Sequence, residues 1–321
     1  MDLIYTNAQK IDQGVLIRYS LDLSYGAEEN NFELTLGKNE SLLEYGAFIY
    51  IDDTEYGGMI DGKKGSTNGD VVAYMGRTWH GILNSKIIEP DPGNDYFTVS
   101  GDANAVLSAL ISRLGLRELF KVKENLSGIN ISSYQFERYC KGYDGIRKML
   151  ASVNAKLRIR WIDRVVQISA EPIVDYSQSP VDDDVAVLTV ERYEKKVNHL
   201  ICLGKGELAA RTVIHLYADQ FGRIGTEQHY TGIHEVVDVY DNNGAETDEE
   251  LTKEGTEKLE ELRDNDKSDI SIIENNDVIY DIGDVVGATV IAFAITAASA
   301  VTQKIINITS GVVTTAYTVG S

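Results

Sequence analysis

Residues 15–25 read V-L-I-R-Y-S-L-D-L-S-Y. Val15, Ile17, Tyr19, Leu21, Leu23 and Tyr25 alternate with Leu16, Arg18, Ser20, Asp22 and Ser24, the period of two by which a strand sends successive side chains to opposite faces. Phe32, Leu34 and Leu36 resume the alternation after the polar G-A-E-E-N-N, so the two runs predict an antiparallel hairpin. Short strands are expected again at 47–51, 55–60 and 70–75, separated by Asp, Gly and Lys turns. The first third of the chain therefore reads as β.

Working outward, the four prolines form two clusters, Pro90 with Pro92 and Pro172 with Pro180, and proline punctuates structure by fixing φ and removing a donor. They divide the chain into a first β domain at 1–89, an α/β middle domain at 90–175 and a second β domain at 176–321. In the middle, Asp102 stands as an N-cap, Val106, Leu107, Leu110, Ile111 and Leu114 follow at helical spacing, and Gly115 ends the pattern. A second helix starts near Asp144 with Ile146, Met149, Leu150 and Val153 on one face, then strands at 156–161 and 165–170 flank a tight turn. The last third predicts strands at 187–192, 197–203, 211–217, 235–240, 305–309 and 312–319, with a turn at Ser310 and Gly311. One helix interrupts them at 247–264, where Thr247 and Glu250 form a capping box over a thin stripe of Leu251, Leu259 and Leu262. The fold class is α+β and β-rich.

The 321 residues allow two or three domains at about 100–200 residues each. A net charge of −20 repels phosphate backbones and argues against tight nucleic-acid binding. The amino terminus lacks the basic start and apolar run of a signal peptide. The uncharged stretch 285–301 is diluted by Gly287, Thr289, Thr296 and Ser299 and is shorter than the ~20 residues of a membrane span, so a buried strand pair is expected there. Cys140 and Cys202 are expected to be reduced and buried, being too few and too far apart for a disulfide scaffold.

No motif announces an enzyme. His229 and His234 match no metalloprotease helix, and His215 reads as a satisfied sheet histidine. Gly204-Lys205-Gly206 begins like a dinucleotide fingerprint, but strand-like R-T-V-I-H-L-Y follows instead of a helix, so a hairpin turn is expected. Asp241-Asn242-Asn243-Gly244 offers oxygens to calcium, yet Glu246 stands where an EF-hand loop needs glycine; a turn into the helix is expected. Asp52, Asp53 and Glu55, and Asp182, Asp183 and Asp184, read as solvated loop acids. Trp79 and Trp161 read as core. Catalytic, cofactor-binding and metal-binding residues are all expected to be none. Eighteen of the aromatics are tyrosines, which suit strands and protein partners alike.

Three stretches together resemble the hub proteins of phage tail tips and baseplates, including the amino-terminal module of tail-associated lysins. They are Y-M-G-R-T-W-H-G-I-L-N-S-K-I-I at 74–88, L-G-K-G-E-L-A-A-R-T-V-I-H-L-Y-A-D-Q-F-G at 203–222, and the end, from Y-D-I-G-D-V-V-G-A at 280–288 through T-Q-K-I-I-N-I at 302–308. The resemblance implies two tube-like β-barrel domains per subunit and a homotrimeric ring that adapts a six-fold tail tube to a three-fold tip or spike. It implies partners in the tail tube or distal tail protein and in a central spike, fibre or tape-measure protein. It implies that DNA would pass only in transit through an exit channel, and it implies no stable membrane insertion. Localisation would be the virion tail tip, assembled in the bacterial host cytoplasm, and a chain of this length would lack a lytic extension. The alternatives are a receptor- or carbohydrate-binding tail protein and, more remotely, a cell-wall endopeptidase.

Overall fold

The computed structural model describes residues 1–40, 43–177, 186–191, 196–263, 267–272, 279–290, 295–309 and 311–320. The chain opens with β1 (Leu3–Thr6), β2 (Asp12–Leu16), β3 (Tyr19–Gly26), β4 (Asn31–Gly37), β5 (Phe48–Tyr50), β6 (Gly57–Gly65) and β7 (Val71–Thr78). There follow α1 (Trp79–Asn84), β8 (Ile87–Ile88), β9 (Thr98–Asp102), α2 (Ala103–Arg113), β10 (Phe120–Val122), β11 (Asn130–Gln135), β12 (Cys140–Lys141), α3 (Gly142–Ala151), β13 (Ala155–Ile162) and β14 (Val165–Pro172). Then come β15 (Ala186–Glu191), β16 (His199–Leu203), β17 (Val213–Ala218), β18 (Ile224–Gly225), β19 (Val237–Asp241) and α4 (Asp248–Arg263). The chain closes with β20 (Lys267–Ile272), β21 (Val285–Val290), β22 (Ile295–Thr309) and β23 (Val312–Gly320). The molecule is β-rich with four α-helices among the described residues, an α+β fold.

Two compact units form, Met1–Leu188 with Ile270–Ser321, and Thr189–Asp269. Their borders do not follow the proline clusters that suggested breaks near 89 and 175. The reason is strand pairing: β22 pairs with β3 from Gln303↔Gly26 to Thr309↔Ser20, so the end of the chain completes the sheet begun at its start.

A long sheet runs β15-β20-β23-β22-β3-β4-β7-β6-β5-β1-β2, with β21 on β22. The expected hairpin is β3–β4, in register from Tyr19↔Leu36 to Leu23↔Phe32. Tyr19, Leu21, Leu23 and Tyr25 are buried as their alternation requires, but Val15 and Ile17 are exposed because β2 ends at Leu16 and the chain turns before β3. The inner faces of β1, β5 and β6 and of β3, β4, β7 and β22 enclose one core, from Leu3 and Ile49 to Leu34 and Ile308. The sheet thus curls over on itself, yet among the described residues its two ends do not pair, so the expected closed barrel is not formed. Fifteen-residue β22 pairs with β21 along its first part and with β3 along its last, joining two groups of strands without closing either.

The middle segment packs α1, α2 and α3 with the β10-β14-β13 sheet around a second core containing Trp79 and Trp161, stacked at 5.0 Å. Asp102 caps α2 by accepting from Asn104 N at 2.9 Å, and Gly115 at φ +68 turns the chain away. Between β13 and β14, Asp163 and Arg164 both take positive φ, the conformation of a two-residue hairpin turn with matching twist.

The smaller unit is a sheet ordered β18-β17-β16-β19, with α4 on one face. Leu251 and Leu259 meet Leu200, Cys202 and Leu216. Pro180, Asp182–Asp184, Arg192, Asp264 and Ser310, which also enter the expectations from sequence, lie outside the described residues.

Candidate functional site

The densest polar chemistry surrounds a cavity of about 260 Å³ in the larger unit. Four segments distant in sequence converge there: Glu55 from the turn before β6, Arg158 from β13, Asp281 from the turn before β21, and Lys304 from β22 line it, and Lys156 of β13 and Asp284 join the set through Asp281. Lys156 Nζ donates to Asp284 Oδ1 and Oδ2 at 2.7 and 2.8 Å and to Asp281 Oδ2 at 2.9 Å. Arg158 donates to the same Asp281 oxygen at 2.8 Å. Lys304 Nζ donates to Glu55 Oε1 at 2.6 Å and lies 3.8 Å from Asp281 Oδ1. Three cations therefore meet three carboxylates, with the Lys304 side chain 2% exposed and that of Asp284 1%.

The backbone prepares this arrangement. Gly283 at φ +99 lets the chain turn, and Asp284 accepts from the amides of Asp281 and Val174, both at 2.9 Å. Burial by itself would lower the pKa of Lys304 and Lys156, but the adjoining carboxylates outweigh it and both are raised. Burial opposes ionisation of Asp281, while Lys156, Lys304 and Arg158 hold it below the usual carboxylate range. A buried charge costs free energy unless paired and hydrogen-bonded; here the pairing is mutual, and no carboxylate of the set is held as a free base.

His80 stands at the edge of this cavity between Tyr25, at 4.7 Å, and Tyr143, at 5.0 Å. Burial pushes its pKa down to about 4, against the pull of Glu55, whose Oε2 is 4.0 Å from Nε2. Among the described residues its Nδ1 has no hydrogen-bond partner, and with that low pKa His80 is a neutral, packed imidazole at pH 7.

A second polar chain lies in the smaller unit. Glu235 Oε1 is 2.7 Å from His199 Nδ1, and His199 Nε2 is 2.8 Å from His215 Nδ1. His215 is a satisfied sheet histidine as expected, though its partner is another histidine. Gly204 and Gly206 lie in the β16–β17 hairpin, where Gly206 at φ +114 would bring a Cβ within 2.7 Å of the Ala210 carbonyl oxygen. Asn242 accepts from Gly244 N at 3.0 Å, and Thr247 accepts from Glu250 N at 3.2 Å, so this segment is the entry to α4. Glu250 itself reaches back to Glu246 N at 2.9 Å, one residue before the expected box partner.

Other expectations need correction. Glu55 is not a solvated loop acid: its side chain is 17% exposed because buried Lys304 requires a counter-charge. Asp53 is exposed and pairs with Arg160 at 2.8 Å. Both cysteines are free thiols, but only Cys202 is buried; Cys140, on short β12, is half-buried. Sequence reading missed Lys304, although a signal was present: Lys304 shares the period-two phase of Ile306 and Ile308, both core residues. Among the described residues no group of three or more His, Cys, Asp or Glu is arranged to hold a metal ion, and no helix is long and apolar enough to cross a membrane.

No protein-family model matches the sequence, and no curated protein is significantly similar to it. Solved structures do match in fold. Prophage tail protein gp18 from Listeria monocytogenes is 12% identical with a TM-score of 0.50, covering 100% of this chain and 95% of that one. The 43 kDa tail protein of prophage MuSo2 from Shewanella oneidensis is 11% identical with a TM-score of 0.50, covering 99% and 98%. A chain in a topological model of the p2 virion baseplate in activated conformation has the same three values, 11%, 0.50 and 99% with 98%. The chain has the fold of phage tail and baseplate proteins.

Proposed function

We propose that this protein is a structural hub of a phage tail tip or baseplate, or of a phage-tail-like particle. The observation that carries the reading is the end-to-end match to tail and baseplate proteins, which covers 99–100% of this chain and 95–98% of each neighbour cited above. A match of that extent involves the whole architecture and not one shared motif. The cavity supports a mechanical role, since every charge lining its ionic cluster is tied to an opposite one from another segment. None of its residues is catalytic on this reading.

In the particle, three copies form a ring that adapts the six-fold tube to a three-fold tip and forms part of the DNA exit channel. Each copy contributes two tube-like regions, so that three copies supply six. Neighbouring rings and a central spike, fibre or tape-measure protein are the partners, and the curled but open sheet supplies edges at which neighbours complete the tube. Mass measurement of the hub ring in purified tail tips is expected to give three copies. One, two or six copies would sink the adaptor reading, and hydrolysis of purified peptidoglycan by the chain would replace it with the endopeptidase reading.

A further inference from the structure

The proposed assembly does not rest on the Glu235–His199–His215 chain, whose geometry is specific. His199 sits on β16 and His215 on β17, diagonal neighbours on the sheet face opposite α4, since His199 pairs with Tyr217 and Ile201 with His215. Ring centres 5.1 Å apart with nitrogens 2.8 Å apart place the two imidazoles nitrogen to nitrogen along one line. A shared metal ion would require both nitrogens to aim at a third point away from that line. A single proton between them fits it.

The groups around the pair come from each neighbouring element. Glu235, in the lead to β19, faces His199 Nδ1 and also accepts from Gln228 Nε2 at 2.8 Å. Tyr217 on β17 stacks on His199 at 4.4 Å between ring centres. On β19, Val237 and Val239 pair with His199 and Ile201; β18 places Gly225 opposite Tyr217. The Glu254 carboxylate of α4 is engaged elsewhere, with Tyr240 and Asn242. Asn198 clamps the segment carrying Glu235, donating to the His234 carbonyl at 2.9 Å and accepting from Val236 N at 3.0 Å.

We propose that His199 and His215 form a two-step proton sensor in the smaller unit. With both rings neutral, His199 Nδ1–H donates to the Glu235 carboxylate and His215 Nδ1–H donates to His199 Nε2. The first added proton resides on His199, flanked by a carboxylate and by a ring able to accept. His199 Nε2–H then donates to His215 Nδ1, and the displaced proton of His215 moves through solvent to its Nε2. The bond survives by reversing direction. A second added proton gives His215 two N–H groups, and two N–H groups then face each other across 2.8 Å. The bond breaks, and exposed His215 swings from the sheet. The open face of β17, β16 and β19, with exposed Val213, Val237 and Val239, thereby gains a pair of positive charges.

Histidine-selective nitrogen NMR of the full chain across the acid range tests this. Near neutral pH both rings are expected as Nδ1–H tautomers. Acidification should charge His199 first and convert His215 to the Nε2–H form, with the two protons taken up in steps that belong to the pair and not to either ring alone. His215→Ala should reduce His199 to one simple step, and Glu235→Gln should move the first step to lower pH. His215→Gln serves the same comparison should the alanine variant fold poorly. Two independent titrations of ordinary shape, unchanged by either variant, would overturn the proposal. So would Nε2–H tautomers for both rings at neutral pH, or zinc binding that requires both histidines.

Discussion

Lys304 illustrates how much a single residue can couple. It is buried on β22 and neutralised by Glu55, a residue 249 positions earlier. Removing one member of such a pair strands the other in a low-dielectric site, which costs about 3–5 kcal/mol, whereas removing both can be nearly neutral. Lys304→Met should therefore lower the unfolding free energy by roughly 3 kcal/mol, and adding Glu55→Gln should return much of it; chemical denaturation of the four-member cycle measures the coupling. Strictly additive single losses would mean that the pair does not interact. His80 gives a pH signature distinct from the carboxylates. Its folded pKa of about 4 lies below the ordinary 6.5, so its contribution is fully present above pH 6.5 and is lost as pH falls from there to about 4. The linkage amounts to about 3 kcal/mol. Asp281, depressed from 3.8, loses its contribution at still lower pH. Stability measured from pH 7 to pH 4 should thus fall less steeply for His80→Gln than for the natural chain.

Among elements, helices were legible where their ends were written locally. Asp102 and Gly115 bracket α2, and Thr247 opens α4. Strands with a long period-two run, such as β3 and β4, were legible together with their hairpin, but short β1, β9, β10 and β11 were not read as strands, and neither were pairings between distant segments. Nothing within β10 states that Phe120 runs parallel to Val166, and nothing near residue 20 states that Ser20 will lie beside Thr309. The polar cluster was illegible for the same reason, because it assembles only after β13, β22 and the turn at 281–284 have found their places. Gly255 shows the opposite case, a local preference overruled by packing. An isolated helix gains from Gly→Ala by about 1 kcal/mol. In α4 the added Cβ would lie 2.5 Å from Cys202 Sγ and 2.9 Å from Leu216 Cδ1, and overpacking costs about 1–3 kcal/mol. Gly255→Ala is expected to lower the melting temperature; a rise would show that β16 and β17 yield readily beneath the helix.

At the scale of the whole molecule, the net charge of −20 becomes informative when located on the sheet. On the outer face of β3 and β4, Asp22 and Glu33 are exposed and directly opposed in register. Asp22 accepts from Asn307, but neither acid is ion-paired among the described residues. Like charges placed opposite each other destabilise a sheet by a few tenths of a kcal/mol, and neutralising one should relieve that cost. Glu33→Gln is therefore expected to leave the isolated chain as stable or slightly more stable. We propose that this polar face, with Ser20, Thr35 and Thr309 beside the acids, lines the bore of the proposed hub. There, negative charge keeps phosphate backbones from adhering as DNA slides past. Glu33→Lys combined with Asp22→Lys should then assemble into normal tails while slowing DNA release, most strongly at low salt, where screening is weakest. Single-particle measurement of ejection kinetics across ionic strengths separates the alternatives. Unchanged kinetics in intact tails would place this face away from DNA, whereas loss of tail assembly would place it against a neighbouring subunit.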